Sequence, residues 1–569
     1  MGFVWPFKEY HLEDFDSVVI PLGQAQRAAS VVAENQRRTA ARTPAEEERE
    51  AEKASDSDNG KDSDSDNAVA TIEALRAEID ADVSASGHDS AYDRKSKVVN
   101  KALIDIGMGR YQWELFVLCG FGWFADNLWL QTVALTLPSL SAEFGVSETN
   151  VRFTTLSLFL GLCIGAFFWG ISADVIGRRP AFNLTLLLTG IFGVAVGAAS
   201  SWISACGLYA GLGCGIGGNL PVDGTILSEA LPMTSSNLLT LLSIFWPFGQ
   251  LYSSLVGWAF LTSYAGNNGW RYLNYTMGAT TLSMFLCHFM LFHLFESPKF
   301  LLSKGRQREA IMVIRAIAYH NGKKTWISEE ILDEIGGISV LAKEEAQSSM
   351  ETIKRSLGKF STQRIKPLFA YKRLAINTTL LWIIWAAIGM AYPLFNAFIV
   401  QYLQAADPNA PPIPDNVLYR NYAIQSIVGC PGSVIAAYTV RLKCVGRRGT
   451  MAVSLLLTGV FLFLFTTSTD ATFQLGFSCM VALFQNQAYG TLYAYSPETF
   501  PSPNRSTGTG IGSGLNRFAG FCAPLVAIYS VSDTSASAKV PMYVSSALFL
   551  VCLMATACLP IETAGKQLI

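Results

Sequence analysis

Three ionisable residues stand where such residues are costly, deep inside apolar runs of the chain. Asp126 lies in "FGWFADNLWLQ" (121–131), Asp223 in "GGNLPVDGTILSE" (217–229) and Arg517 in "GSGLNRFAGFCAP" (512–524). Read as helices rising 1.5 Å per residue, Asp126 lies roughly 20 Å into the run that begins near Trp113 and Arg517 roughly 18 Å past Arg505. A charge at that depth in a bilayer costs several kcal/mol, so it faces a cavity or a partner. A carboxylate there can take up and release a proton, which suits ion coupling. An arginine keeps its charge and presents a fixed fork of donors suited to a carboxylate or phosphate. The plain alternative is a structural ion pair between Arg517 and one of the acids. Asn127, Gln131, Asn219, Gln250, Tyr392, Asn396 and Asn486 are candidates to shape a substrate pocket, and Trp246 and Tyr392 could stack on a ring. Single amides in such helices also serve as plain interhelical hydrogen bonds.

The elements that must position these residues are visible in the composition. The chain has 569 residues, 50% of them hydrophobic and only 15% charged, against about 25% charged in soluble domains. Charge is also segregated, into residues 1–110 with their Ser/Asp repeats and into residues 296–373. The remainder is apolar, aromatic and Gly-rich, with room for about twelve runs of the roughly 20 residues that cross a bilayer. The runs fall at roughly 113–137, 151–174, 181–200, 203–227, 238–262 and 272–295, then 375–403, 419–440, 449–468, 471–494, 506–530 and 540–560. The predicted fold is all-α and integral to the membrane, with twelve transmembrane helices. Arg178, Arg179, Arg447 and Arg448 lie in loops on one side, as does the basic middle loop. Basic loops stay in the cytosol, so both termini and the middle loop are expected there. The Pro-rich stretch 407–416 is then external.

The chain also repeats itself. "GRR" occurs at 177–179 and at 446–448, an offset of 269 (446 − 177). Glu229 and Glu498, Pro232 and Pro501, and Asn127 and Asn396 share that offset. Matches at equivalent places in a six-span unit point to a tandem duplication into two pseudo-symmetric halves. The expected organisation is a disordered cytosolic tail (1–110), a six-helix half (111–295), a cytosolic middle loop (296–373), a second six-helix half (374–562) and a short cytosolic tail (563–569).

"GISADVIGRR" (170–179), between the second and third spans, resembles the loop motif of the major facilitator superfamily. "ESPKFLL" (296–302), "YSPETFP" (495–501) and "PIETAGK" (560–566) look like the cytosolic motifs of its sugar-porter branch. The resemblance covers roughly residues 110–566. Within that branch the sequence is closer to organic-ion, phosphate and synaptic-vesicle-related members, and its long polar N-terminal tail resembles fungal ones. "WIIWAAIGMAYPLFNAF" (382–398) lacks the paired glutamines with which hexose carriers hold sugar hydroxyls. "GGNLPVDGTILSE" resembles the phosphate:proton symporter signature, but Asn219 and Leu220 replace its Asp and Tyr, which speaks against phosphate. The resemblance implies alternating access, a central cavity lined by spans one, four and eleven, and a charged gate at the cytosolic helix ends. Asp174, Arg178, Arg179, Glu229, Arg447, Arg448 and Glu498 are the gate candidates. The second copy departs from the pattern, with Lys443 at the offset from Asp174, so its acidic partner must be Glu498 or another group.

The expected function is therefore secondary transport, proton-coupled through Asp126 and Asp223, of a small organic solute, with Arg517 inclining toward an organic anion. A sugar or polyol, or an exported drug or fungal metabolite, is the alternative, and a non-transporting solute sensor is the alternative of another class. An enzyme is not expected, because no nucleophile–base arrangement is present, and no cofactor or metal is called for. "GLGCGIGG" (211–218) lies within an apolar span and reads as close helix packing, and no GxxxxGK[ST] exists to bind ATP. No basic face suits nucleic acid. The expected partners are the substrate, protons and the bilayer, with the chain a monomer. The acidic serines of "SDSDNGKDSDSDN" (55–67) offer sites to a kinase. The plasma membrane is the expected location, with the vacuolar membrane as alternative.

Overall fold

The computed structural model describes residues 10–24, 72–86, 91–232, 238, 241–264, 268–291, 294–337, 365–405, 414–440, 442, 445–468, 470–500, 505–530 and 539–563. The Ser/Asp repeat of 55–67, the Pro-rich residues 407–413, Lys443 and the side chain of Asp174 lie outside the described residues. In chain order the helices are α1 (Ile72–Ser86), α2 (Ala91–Ile106), α3 (Arg110–Phe144), α4 (Phe153–Ile176), α5 (Arg178–Gly197), α6 (Trp202–Ile216) and α7 (Asn219–Ala230). There follow α8 (Phe245–Ser263), α9 (Gly269–Leu291), α10 (Pro298–Ser303), α11 (Gln307–His320) and α12 (Glu329–Gly336). The last seven are α13 (Lys372–Asn396), α14 (Ile399–Ala405), α15 (Asp415–Thr439), α16 (Gly446–Thr467), α17 (Ala471–Thr499), α18 (Arg505–Tyr529) and α19 (Val540–Ala557).

The chain divides into two units. The larger holds the twelve spans expected from hydropathy, with the fourth built from α6 and α7 and the seventh from α13 and α14. Six of its helices are long and apolar enough, by length and composition alone, to cross a membrane among the described residues. Both broken spans break beside site residues. Gly217 and Gly218 separate α6 from Asn219, and Ala397 and Phe398 follow Pro393 and Asn396. Glycine pairs and proline are the usual causes of such breaks. The internal repeat holds in space as well as in sequence. Span two packs on four and eight on ten, three packs on six and nine on twelve, and the halves meet along spans five and eight and along spans two and eleven. Gly177 and Gly446, at the 269 offset, both take positive φ (110° and 62°) in the turns before α5 and α16. Residues with a Cβ rarely adopt that conformation.

The smaller unit gathers residues on both sides of the first half of the chain. Here the structure departs from the expected disordered tail. Residues 72–106 form α1 and α2; α1 packs on α2, and α2 packs on α10, α11 and α12 of the middle loop. The stripe Leu75, Ile79 and Val83 is buried, as are Val98, Val99 and Leu103, together with Ile314 and Ile317 of α11 and Ile331 and Ile335 of α12. None of these short stripes could be buried alone, and together they form a core. Lys95, only 6% exposed, is held by Gln307 Oε1 at 2.6 Å and Asp333 Oδ1 at 3.0 Å. Residues 10–24 lie along α11, with Arg315 donating to Asp16 at 2.7 Å and Val19 bridging Thr325.

Candidate functional site: a buried ion pair and aromatic layer between the halves

α3 carries Asp126 and Asn127 on adjacent faces, and both are buried among apolar neighbours. Asn219, the first residue of α7, donates from Nδ2 to Asp126 Oδ1 at 3.3 Å and to the carbonyl of Gly122 at 3.3 Å. The break at Gly217 and Gly218 therefore turns the start of α7 onto the face of α3 that bears Asp126. Arg517 of α18 closes on the same carboxylate from the other half, with Nη2 3.6 Å from Asp126 Oδ2. That separation is ion-pair range but too long for a hydrogen bond. Neither atom has a hydrogen-bond partner among the described residues. The pair is thus electrostatic and unsaturated, with donor and acceptor capacity left over.

Asp223 sits one helical turn along α7 from Asn219 and is fully buried. A Cβ built on Gly122 would run into its carboxylate, so the two helices approach closely there only because residue 122 lacks a side chain. Both carboxylate oxygens of Asp223 lack hydrogen-bond partners among the described residues. Two acids and one arginine thus converge on spans one, four and eleven.

A second link crosses the halves. Gln250 of α8 donates to the Tyr392 hydroxyl at 2.8 Å, and that hydroxyl donates to Asn127 Oδ1 at 3.0 Å. Tyr392 needs the α13 helix up to Pro393 to reach this point. Gln131, Gln250, Tyr392 and Asn396 line a narrow cavity with Thr155 and Phe159 of α4, with room for about one water in this closed arrangement. Asn396 donates to Gln485 Oε1 at 3.0 Å. Asn486 stands apart, since its amide donates to the Gly429 carbonyl at 3.2 Å and joins α17 to α15.

On the side of this pair toward the unit's chain ends lies a layer of rings that the sequence reading mostly missed. Trp123 stacks on Trp246 with centroids 4.6 Å apart, and Tyr493 meets Trp123, Trp246 and Trp385 at 5.2, 5.0 and 4.7 Å. Tyr489 contacts Trp246 and Tyr392. Trp246 and Tyr392, which could stack on a solute ring, here meet the protein's own rings: Trp246 stacks on Trp123 of its own half and meets Tyr489 and Tyr493 of the other edge-on, and Tyr392 meets Tyr489 edge-on. Aromatics in apolar spans carry no signal that separates such a layer from ordinary core.

The gate candidates fall into two equivalent pairs. Arg178 lies 3.4 Å from Glu229, and Arg447 pairs with Glu498. Both members of the second pair are shifted by 269 from the first. Glu562 accepts from the backbone amides of Arg447 and Arg448 at 3.1 Å each, capping α16, and the Arg448 side chain donates to the Ala557 carbonyl at 3.1 Å. Arg179 is half-buried at the start of α5. Each of these pairs ties two helices within one half. Aromatic contacts cross the halves at this end.

Comparison with known proteins agrees with this architecture. Residues 113–569 match the family described as "Sugar (and other) transporter". An uncharacterized MFS-type transporter of Schizosaccharomyces pombe is 39% identical over 525 residues, covering 88% of this chain and 94% of the relative. MFS siderochrome iron transporter 1 of Ceriporiopsis subvermispora is 38% identical over 491 residues, covering 84% and 92%. A synaptic vesicle 2-related protein of Rattus norvegicus is 25% identical over 492 residues, covering 83% and 82%. Among solved structures, the xylose transporter XylE from E. coli superimposes with a TM-score of 0.57 at 16% identity, covering 80% of this chain and all of that one, a likeness of fold. A duplicated twelve-span bundle, matched over its whole length by transporters rather than enzymes, belongs to the sugar transporter family of the major facilitator superfamily.

Proposed function

We propose that this transporter is a secondary active, proton-coupled carrier of a small organic anion such as a carboxylic or aromatic acid, working by alternating access. The observation that carries the reading is the unsaturated Asp126–Arg517 pair, buried and shared between the halves. Charge balance explains why such a pair would couple two species. In the resting site one carboxylate offsets one guanidinium. When a solute carboxylate takes Arg517, Asp126 must take a proton for the buried site to stay neutral, because an uncompensated charge there costs several kcal/mol. Anion and proton then enter and leave together. Asp223, beside Asp126 and without a hydrogen-bond partner for its carboxylate among the described residues, is the second proton-coupling candidate. Gln131, Gln250, Tyr392 and Asn396 would contact the rest of the solute, with Asn127 and Asn219 holding Tyr392 and Asp126 in place. The basic loops support cytosolic termini, and the plasma membrane is the proposed location, with the chain acting as a monomer.

The cavity amides favour a second reading. The Gln250–Tyr392–Asn127 chain offers neutral donors and acceptors of the kind that hold hydroxyls, which suits a sugar or polyol. Solute-evoked proton uptake by liposomes holding the purified protein, read with a trapped pH dye, separates the two. The panel holds carboxylates, aromatic acids, sugars, polyols and cationic drugs, and a ferric siderochrome because one relative carries that name. Proton uptake evoked by acids that vanishes in Asp126→Asn, without net current because one negative charge and one proton move together, supports the proposal. Proton uptake and current for sugars alone would overturn the anion assignment. Full proton-driven accumulation by Asp126→Asn would overturn the coupling.

A further inference from the structure

Away from the chain ends, the halves also touch through a side chain with no precedent in the sequence motifs. Arg152 opens the second span and is 9% exposed. Its Nη1 donates to the Ala527 carbonyl at 2.6 Å, and its Cζ lies 5.5 Å from the centre of the Phe398 ring. Ala527 is in the last turn of α18, where carbonyls have no partner within the helix and a cation is favoured. The neighbouring Val526 carbonyl is taken by Ser530 N at 3.0 Å, which leaves that of Ala527 for Arg152. Phe398 fills the break between α13 and α14. One guanidinium of the first half therefore grips the ends of spans eleven and seven. Those spans carry Arg517, ten residues before Ala527 or about 15 Å along the helix, and Tyr392 and Asn396.

We propose that Arg152 is a positioning residue of the transport cycle, a latch that holds spans seven and eleven against span two and keeps the site closed on that face. In a rocking bundle, contacts between the halves on one face must part before the site opens there. Polar contacts between halves on this side also run along spans five and eight. Trp258 donates to Asn416 Oδ1 at 2.6 Å, and the Ser254 and Ser426 hydroxyls lie 3.1 Å apart. Releasing Arg152 frees the seam between spans two and eleven while the seam between five and eight persists as a hinge. The guanidinium suits this role because its hold across the halves includes a hydrogen bond and a ring face, strong enough to bias an equilibrium and weak enough to break each cycle. The latch rests on alternating access but not on proton coupling or on the identity of the solute.

The test uses full-length protein in liposomes, with native cysteines replaced and one reporter cysteine introduced. Thr155→Cys lines the cavity one turn inside Arg152, and Gly514→Cys lies one turn from Arg517 toward the opposite face. With a membrane-impermeant thiol reagent, Arg152→Ala is expected to raise labelling of Thr155→Cys from its own face about fivefold or more. Labelling of Gly514→Cys from the other face should fall. Arg152→Lys, which keeps the charge but loses the planar fork, should lie between. A general loosening of the fold would raise both rates together, and that result overturns the proposal, as do unchanged rates in both reporters. Where Arg152→Ala does not yield folded protein, Arg152→Lys and Arg152→Gln carry the same test.

Discussion

At the scale of single residues, Asp126 and Arg517 differ from ordinary membrane ion pairs in being left partly unsatisfied. Removing the guanidinium in Arg517→Gln deletes a charge-assisted partner worth about 1.5–3 kcal/mol, so acid binding should weaken about 10- to 150-fold. Titration calorimetry of the purified protein with a transported acid measures this, and normal affinity would exclude the anion role. Arg517→Lys should recover only part of the loss, since an ammonium cannot grip a carboxylate with two parallel donors. Gly122 carries a different constraint. Gly122→Ala places a methyl where the Asp223 carboxylate now sits, and overpacking of that kind costs about 1–3 kcal/mol. A lowered thermal midpoint for Gly122→Ala, relieved in Gly122→Ala/Asp223→Ala, is the expected result. Asp126, Asp223 and Arg517 were legible from the sequence because a charge in an apolar run stands out. Arg152 was not, because an arginine near a span end reads as an interfacial anchor. Asn486 shows the converse, as an amide in a span whose bond to Gly429 only the packing reveals.

At the scale of helices, the 269 offset relates not only residues but contacts. Arg178–Glu229 and Arg447–Glu498 tie spans three and four, and nine and ten, in the same way. Arg447 is 5% exposed, so Glu498→Ala leaves a buried charge with one acid fewer and should cost about 3 kcal/mol or more. The exchange Arg447→Glu with Glu498→Arg should restore much of that loss in the same melting experiment. A second element-level case is the small unit, where α2 meets α12 through Lys95 and Asp333. Burial pushes the Asp333 carboxyl up, but hydrogen bonds from Gln307 and Lys95 and the charge of Lys95 together outweigh it and hold it below the usual carboxylate range. A carboxyl lowered on folding stabilises above its unfolded value, near 3.9, and loses that contribution as pH falls through the folded value. Amide exchange in α2 and α12 should therefore quicken as pH drops below about 4, after correction for intrinsic rates. In Asp333→Asn that acid-dependent step should be missing.

At the scale of the whole membrane unit, the halves are held at three levels. Arg152 and the Trp258–Asn416 bond hold one face, the Asp126–Arg517 and Gln250–Tyr392–Asn127 links hold the middle, and the aromatic layer lies toward the chain ends. Tyr493 touches three tryptophans drawn from both halves, so it joins the layer together. Tyr493→Ala should open that side, with faster labelling of Gly514→Cys from the face of the chain ends and slower labelling of Thr155→Cys. The sign is opposite to that expected for Arg152→Ala. Unchanged labelling would show that the rings are packing alone.

What the sequence determined by itself was the membrane class, the twelve spans, the duplication and the three buried charges. Each of these is a property of local runs, since hydropathy, charge and a repeated spacing survive without any knowledge of neighbours. The fold of residues 72–106 was not legible, because nothing local to them shows the middle-loop helices on which α2 packs. The tertiary structure alone decided which charges meet. Arg152 and Ala527 are 375 positions apart, and no periodicity in either run says that they touch. It also decided that the equivalent Arg–Glu pairs lie within the halves and that rings of both halves meet toward the chain ends. The physical reason is that burial in a bilayer selects each span by its own composition, whereas contacts between spans depend on the close fit of surfaces that the chain brings together only when it folds.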